Sequence, residues 1–297
     1  MHRFGTEVGP CSGAAARKLE QHARRASLFF ARLRGKMPEL PEVEEAMQRL
    51  KTAVEGKTIA TAKALHPALA RQFPDATARR LRHQRIVRVE RRGKHQLIHL
   101  SSGATLHAHF RMNGDWVLSR TTEPADRFTR AVIELTDGTR IELNDRRALS
   151  ALSLHAKGVN PLPSLGVEAN DAALTGRYLR DALRSRRGPI KPALMDQKVI
   201  AGLGNIYAAE SLWRARISPR AVASSVSLRR LDTLVDAIRE VLEAENRAPG
   251  RYTDVEGRER FQVYDREGEP CNRCGTKIRR IPQAGRSTYF CPVCQKS

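Results

Sequence analysis

Four cysteines near the end of the chain limit its fold more than any other feature. They form two Cys-x-x-Cys pairs, Cys271 with Cys274 and Cys291 with Cys294, and only Cys11 lies elsewhere. Two such turns bring four thiolates into the tetrahedral arrangement that Zn²⁺ prefers, whereas a redox-active pair needs a strand–helix context that this segment lacks. Because four thiolates leave no coordination position for water, we predict one structural Zn²⁺ in a finger over residues 261–297.

The net charge of +21, from 53 Lys and Arg against 32 Asp and Glu, is high for an enzyme. Such a surface attracts polyanions, and nucleic acid is the most common of these in a cell. No apolar run reaches the roughly 18–20 residues of a membrane span. Charge alone is also explained by a surface that is simply solvated or by a protein of the ribosome.

Composition and periodicity divide the 297 residues into segments. Residues 1–36 carry eight Lys and Arg against two acids, as in an organelle transit peptide or an extension translated from a start codon assigned too far upstream. We favour the second explanation, and we expect this extension to be poorly packed or loosely helical, outside both domains.

Residues 37–157 begin with a helix, in which Pro41 and several acids suit the first turn. Short β-like runs separated by turn residues follow and predict a β-sandwich or barrel. These runs cover residues 58–64, 86–91, 95–100, 105–109, 116–118, 131–135 and 140–143. Residues 158–168 form a linker, and residues 169–260 have helical periodicity, with Ser227 as the N-cap of one helix. The fold class is therefore α+β.

Three separated motifs resemble those of the formamidopyrimidine-DNA glycosylase / endonuclease VIII family. The first starts Met37-Pro-Glu-Leu-Pro-Glu-Val-Glu44, and the second runs from Lys191 through Gly-Leu-Gly-Asn205. The third is the cysteine region with its flanks, so the resemblance covers residues 37–296. It implies an N-terminal catalytic β-sandwich with flanking helices, a helix–two-turn–helix DNA-binding domain and a zinc-ribbon finger.

The resemblance assigns chemistry to four residues. Pro38 matches the N-terminal proline whose secondary amine attacks the sugar C1′ and forms a Schiff base. Glu39 matches the acid/base, Glu42 a supporting carboxylate, and Lys94 a β-hairpin lysine that grips the phosphate beside the lesion. On their own, the acids could simply cap a helix and Lys94 could be a solvated charge in a turn.

Further residues match contacts to DNA. Asn205 and Arg286 match phosphate ligands, Lys191 a ligand of base or phosphate, and the glycines before Asn205 allow backbone to approach the strand. His109 and Met112 lie in the motif that supplies an intercalating methionine, and Arg146 matches the arginine that pairs with the orphaned base. The aromatic wedge expected two residues after Arg146 is replaced by Ala148, which Leu149 follows.

The implied function is a bifunctional DNA glycosylase and AP lyase of base excision repair. It would remove formamidopyrimidines, 8-oxoguanine or oxidised pyrimidines through the proline Schiff base and β,δ-elimination. The segment at residues 245–260 is short for a loop that covers 8-oxoguanine, which leaves substrate choice open. We expect a monomer that acts on damaged double-stranded DNA, does not bind membranes, and lies in the bacterial cytoplasm at the nucleoid.

Two other functions compete with this interpretation. If residues 1–36 stay attached, Pro38 is an amide, and the protein would recognise damaged DNA without cutting it. A zinc-ribbon module of the transcription or ribosome machinery is the third possibility, but it does not explain the Pro-Glu-Leu-Pro-Glu start.

Overall fold

The computed structural model describes residues 38–247 and 260–296, so the prediction for residues 1–36 lies outside the described residues. Its helices are α1 Leu40–Val54, α2 Pro67–Ala70, α3 Asp75–Arg79, α4 Gly176–Leu183, α5 Ile190–Leu194, α6 Asn205–Arg214 and α7 Leu228–Arg247. Its strands are β1 Ile59–Ala64, β2 Ile86–Arg92, β3 His95–Leu100, β4 Thr105–His109, β5 Asp115–Arg120, β6 Thr129–Leu135, β7 Thr139–Asn144, β8 Ala151–His155, β9 Val167–Glu168, β10 Ile200–Ala201, β11 Arg279–Gln283 and β12 Arg286–Phe290.

Two four-stranded antiparallel sheets form the first half of this region. Their strand orders are β1-β6-β7-β5 and β2-β3-β4-β8, and apolar side chains from both enter one core. The indole Nε1 of Trp116 on β5 donates to the Oε1 of Gln96 on β3 at 2.7 Å, which joins the two sheets inside the core. The predicted β-sandwich is therefore confirmed.

Helix α1 packs against this sandwich. Its apolar face, which includes Val43, Leu50 and Val54, is fully buried, as the helical spacing of these residues requires. The guanidinium of Arg49 binds the carboxylate of Asp115 on β5 at 2.9 Å and adds a polar contact between the helix and the sandwich. Leu40 at the start of the helix belongs instead to the core of the helical half. The beginning of α1 therefore lies between the two halves.

The helical half packs α4, α6 and α7 around a second core. The helical periodicity predicted for this part of the chain is seen in α7, whose buried residues include Leu231, Leu234, Val235, Ile238 and Leu242. These side chains recur every three or four residues and so form one face of the helix. This longest helix packs against α4 and α6, and its buried face shares one core with side chains from α5 and β10.

The β11–β12 hairpin and the cysteine turns form the finger, which packs against α6 through a small third cluster. Trp213 on α6 contributes to that cluster, and the guanidinium of Arg273 lies 3.8 Å from the centre of its ring. The described helices, in residues 38–247 and 260–296, include none long and apolar enough to cross a membrane.

Candidate active site

Glu39 lies at the N-terminus of α6, although 165 residues separate it from Gly204, the helix N-cap. Its Oε1 accepts the backbone N–H of Ile206 at 2.9 Å and its Oε2 that of Tyr207 at 3.4 Å. The residue is 1% exposed. Unpaired N–H groups and the helix dipole both favour negative charge at this position, so the carboxylate is held in a fixed orientation.

Two glycines make room for Glu39 and its neighbour. A Cβ on Gly204 would lie 2.3 Å from the Cδ of Glu39, and a Cβ on Gly202 would lie 2.6 Å from the Cδ1 of Leu40. Gly202 also has a φ of +92°, which residues with a Cβ rarely adopt. The Gly-Leu-Gly sequence before α6 is therefore required for α1 to approach this helix.

Glu42 supports Glu39 from the first turn of α1. Its Oε2 accepts the backbone N–H of Glu39 at 2.9 Å, and its Oε1 accepts the hydroxyl of Tyr207 at 2.7 Å. Burial raises the pKa of Glu42 to about 7, against the smaller opposing effect of the Tyr207 hydrogen bond. Glu42 therefore holds a proton more strongly than an ordinary carboxyl group does.

Lys94 lies in the β2–β3 turn and faces the same carboxylates. Burial lowers its pKa, while the charges of Glu39 and Glu42 raise it and that of Arg286 lowers it further. Half-buried Pro38 directly precedes Glu39 in the chain. The structure thus brings together all four predicted catalytic residues.

The turn that carries Lys94 is attached to the helical half by Glu168. This carboxylate accepts the backbone N–H of Gly93 at 2.5 Å and a guanidinium N–H of Arg91 at 2.6 Å, and it also pairs with Arg92. A Cβ on Gly93 would lie 3.6 Å from the backbone nitrogen of Gly202. Lys94 is therefore positioned by both halves of the protein.

Lys191, Asn205 and the finger form the other side of the site. The ammonium of Lys191, which is 1% exposed, donates to the Oδ1 of Asn205 and, at 2.9 Å, to the hydroxyl of Thr288 on β12. The Nδ2 of Asn205 donates to the Ser287 carbonyl at 3.1 Å. Arg286 at the start of β12 is exposed. Three predicted DNA ligands therefore meet where α5, α6 and the finger join.

The four predicted cysteine ligands converge. The sulfur atoms of Cys271, Cys274, Cys291 and Cys294 all lie within 4.8 Å of one another, and those of Cys274 and Cys291 are 3.5 Å apart. Tetrahedral Zn²⁺ with bonds of about 2.3 Å places its sulfur ligands about 3.8 Å apart. The thiol set therefore fits one zinc ion, which would tie together the two turns of the finger.

The remaining predicted residues lie in two adjoining loops of the sandwich. Met112 belongs to the loop after β4, and Arg146 to the loop after β7. The hydroxyl of Ser150 in the second loop donates to the carbonyl of Phe110 in the first at 3.2 Å. Burial lowers the pKa of His109, at the end of β4, to about 3, and the nearby charges of His95, Arg111 and Lys94 act in the same direction.

Sequence reasoning did not single out Tyr207, Thr288 or Glu168, because each acts through a partner far away in the chain. It also missed a group of imidazoles on one face of the β2-β3-β4-β8 sheet. The Nδ1 of His95 lies 2.8 Å from the Nε2 of His107, and the ring of His95 contacts that of His109. The available signal was the spacing of the histidines, at positions 95 and 99 of β3 and 107 and 109 of β4, since residues i and i+2 share a strand face.

Three segments of the chain match described protein domains. Residues 37–152 match the formamidopyrimidine-DNA glycosylase N-terminal domain, and residues 165–253 match the formamidopyrimidine-DNA glycosylase H2TH domain. Residues 268–296 match the zinc finger found in FPG and IleRS. With the fit of the four thiolates, this match identifies one structural zinc in the finger.

Relatives and solved structures agree with these matches. The formamidopyrimidine-DNA glycosylase of Pelotomaculum thermopropionicum is 39% identical over 278 residues, covering 88% of this chain and 99% of that protein. The enzyme of the same name from Ruegeria pomeroyi is 39% identical over 283 residues, covering 88% and 100%. Lactococcus lactis Fpg, solved with DNA containing Fapy-dG, has a TM-score of 0.79 at 30% identity, covering 87% of this chain and 100% of that one. MutM, solved with DNA containing carbocyclic 8-oxo-G, has a TM-score of 0.80 at 30% identity. The chain belongs to the formamidopyrimidine-DNA glycosylase family.

Proposed function

We propose that this protein is a DNA glycosylase of base excision repair that removes oxidised bases and then cuts the strand as an AP lyase. The observation that carries the proposal is the cluster around Pro38. Glu39, with its carboxylate fixed by α6, and Lys94, with its pKa lowered by burial, lie together at the junction of the two halves. A secondary amine, a fixed carboxylate and a desolvated lysine provide a nucleophile and groups that can move protons.

The proposed reaction begins at the nitrogen of Pro38. The nitrogen forms a bond to C1′ of the damaged nucleotide while the bond from C1′ to the base breaks, and the base leaves as an anion that takes a proton from water. The Glu39 carboxylate accepts the N–H proton of the proline, which is now bonded to C1′, and delivers it to the ring oxygen. The bond from C1′ to the ring oxygen then breaks, and the opened sugar is an iminium ion. The iminium acidifies C2′–H, so that removal of this proton expels the 3′ phosphate, and a second elimination expels the 5′ phosphate.

This chemistry requires Pro38 to be the first residue of the active enzyme. An internal proline is a tertiary amide whose nitrogen has no usable lone pair. We therefore propose that the active form lacks residues 1–37. The domain match that begins at residue 37 supports this start, as do relatives that match 88% of this chain over 99% or more of their own length.

Damaged double-stranded DNA is the proposed substrate and partner, bound by a monomer. The charge of +21 favours a polyanion, and Asn205, Lys191 and Arg286 supply donors beside the acid cluster. The solved relatives carry DNA with Fapy-dG, 8-oxo-G analogues or abasic sites. Since the curated relatives named above are bacterial, we place the enzyme in the bacterial cytoplasm at the nucleoid.

Borohydride trapping tests the proposal. The chain beginning at Met37, the same chain with Pro38→Gly, and the full chain blocked from processing are each mixed with duplexes carrying Fapy-dG, 8-oxoguanine, an oxidised pyrimidine or an abasic site. Borohydride reduces a Schiff base to a stable covalent adduct, and mass spectrometry then locates the adduct. We expect trapping at Pro38 by the processed chain only.

The alternative of a damaged-DNA-binding protein predicts a different result. If the processed chain bound lesions tightly and specifically but gave no trapped adduct, the result would favour that alternative and refute the proline mechanism. Trapping by a full chain that still begins at Met1 would show that another amine is the nucleophile.

A further inference from the structure

Phe128, in the connection between β5 and β6, lies beneath two guanidinium groups. The Cζ atoms of Arg127 and Arg146 are each 4.6 Å from the centre of its ring, and that of Arg130 is 6.0 Å away. Arg127 and Arg146 are exposed and Phe128 is half-buried. A cation over an aromatic face is attracted by the ring quadrupole, so the ring holds both arginines at the surface.

The backbone fixes this arrangement. The N–H of Asp145 donates to the carbonyl of Phe128 at 2.9 Å, and the Nε of Arg130 donates to the carbonyl of Asp145 at 2.6 Å. The Asp145 carboxylate in turn accepts the backbone N–H groups of Leu149 and Ser150, both at 2.7 Å. The loop that presents Arg146 is therefore attached to the loop that presents Phe128.

These loops continue the surface of the proposed active site. His95, the residue after Lys94, pairs with His109 across β3 and β4, and their ring centres are 4.7 Å apart. His109 begins the loop containing Met112, and Ser150 joins that loop to the one carrying Arg146. A Cβ on Gly114 would lie 2.4 Å from the Ser150 hydroxyl, so the two loops are in close contact. A duplex gripped beside Lys94 would reach Met112 and then the group formed by Arg127, Phe128 and Arg146.

Planar cationic and aromatic groups side by side suit one class of ligand. A nucleobase stacks on a guanidinium or an aromatic ring through its π face, while the positive charges pair with its phosphates. Stacking does not read sequence, because every base has a π face. An unpaired base fits such a surface better than a paired one, whose faces are already covered by its neighbours in the helix.

We propose that Arg127, Phe128 and Arg146 form a nucleobase-stacking platform for the strand opposite the damaged base. This inference rests on the proposed function, since it assumes that the protein extrudes a damaged nucleotide and leaves its partner unpaired. In the loop that carries Arg146, Ala148 stands where an aromatic residue was expected. The platform supplies an aromatic ring from another loop, through Phe128 between β5 and β6. The rival group is Leu149, an aliphatic side chain that is 44% exposed in the same loop.

A fluorescent base opposite the lesion tests the platform. A duplex with a tetrahydrofuran abasic analogue opposite 2-aminopurine is titrated with the chain beginning at Met37, and binding and 2-aminopurine emission are recorded together. We expect binding to quench the emission, because stacking quenches this base. Phe128→Leu keeps an apolar side chain but removes the aromatic face, so the quench should disappear and affinity should fall about 10-fold.

Four matched variants sharpen the result. Phe128→Tyr should restore both signals, and Arg127→Lys, an exposed change that keeps the charge, should weaken the quench. Leu149→Ala and Val87→Ala, an exposed apolar position on β2, should behave as the wild type. Equal binding and quenching by wild type and Phe128→Leu would overturn the proposal, as would loss of the quench in Leu149→Ala alone.

A parallel borohydride reaction on the same duplex with a natural abasic site separates the two proposals. Trapping by the wild type, with a quench that Phe128→Leu does not change, would refute only the platform. A quench that depends on Phe128 without any trapping would refute the lyase mechanism and leave the platform in place.

Discussion

Replacing Gly204 by Ala should disable the enzyme without unfolding it. The added Cβ would lie 2.3 Å from the Cδ of Glu39 and 2.5 Å from each of its carboxylate oxygens. Ordinary van der Waals contact begins at 3.4 Å, so the carboxylate must retreat by about 1 Å. That movement breaks or lengthens its hydrogen bond from Ile206, which is 2.9 Å long. The variant therefore moves the proposed acid/base and leaves its chemistry intact.

A displacement of about 1 Å at a reacting group can cost about 100-fold in rate, or about 2.7 kcal/mol of transition-state stabilisation. Overpacking of this kind costs about 1–3 kcal/mol in folding free energy, which a domain of ordinary stability tolerates. The assay is single-turnover cleavage of an abasic-site duplex at saturating enzyme, with thermal unfolding recorded in parallel. We expect the rate to fall about 100-fold while affinity for the duplex changes much less.

Gly188→Ala is the matched control. Gly188 is exposed, and a Cβ there would meet nothing within 4 Å, so the same chemical change should leave rate and stability at wild-type values. Wild-type cleavage by a folded Gly204→Ala protein would refute the role assigned to the fixed Glu39 carboxylate. A loss of activity in both glycine variants would point to backbone flexibility instead.

Three further substitutions test zinc binding by the finger, the proposed phosphate contact of Arg286 and the raised pKa of Glu42. Cys274→Ser should release the zinc, measured by metal analysis, and should reduce DNA binding more than it lowers the melting temperature; a metal-free preparation with full activity would contradict this. Arg286→Gln should flatten the slope of log affinity against log salt by about 0.9, one phosphate contact, whereas exposed Arg79→Gln on α3 should not. Glu42 has a pKa raised to about 7, so the folded state keeps a proton that the unfolded state loses above its ordinary 4.5. Stability from this group should fall by up to about 3 kcal/mol as pH rises from 4.5 to 7. Urea unfolding of Glu42→Gln should lack that part of the slope, and parallel pH profiles for the two proteins would argue against it.

Local pattern predicted the elements that have a clear period. The strands expected at residues 95–100 and 105–109 are found with those bounds, and the buried stripe of α7 matches the spacing of its apolar residues. Strand β8 was missed, and so were helices α2 and α3. Each has four or five residues, and a segment of that length gives only a weak periodic signal, so some short elements, such as β4, are predicted and others are missed.

The site was predicted as a set of residues but not as an arrangement. Nothing near Glu39 in the chain indicates that its carboxylate caps α6, because the partner groups are backbone N–H groups of residues 206 and 207. Asn205 and Lys191 were expected to face DNA, and the structure adds that they bind each other and the finger. Long-range packing decides such contacts, and a single sequence carries no local signal for them.

These contacts link the residues proposed to bind DNA with the proposed acid/base, Glu39. Thr288 of the finger binds Lys191, Lys191 binds Asn205, and Asn205 is the first residue of the helix whose next two N–H groups hold Glu39. A displacement of the finger would therefore be passed to the proposed acid/base through the buried side chains of Thr288 and Lys191 and the half-buried side chain of Asn205, which are linked by hydrogen bonds. Closely packed groups of this kind move together and do not deform independently. Removing the Thr288 hydroxyl should therefore disturb Glu39 as well as Lys191, although Thr288 lies in the finger and does not touch Glu39.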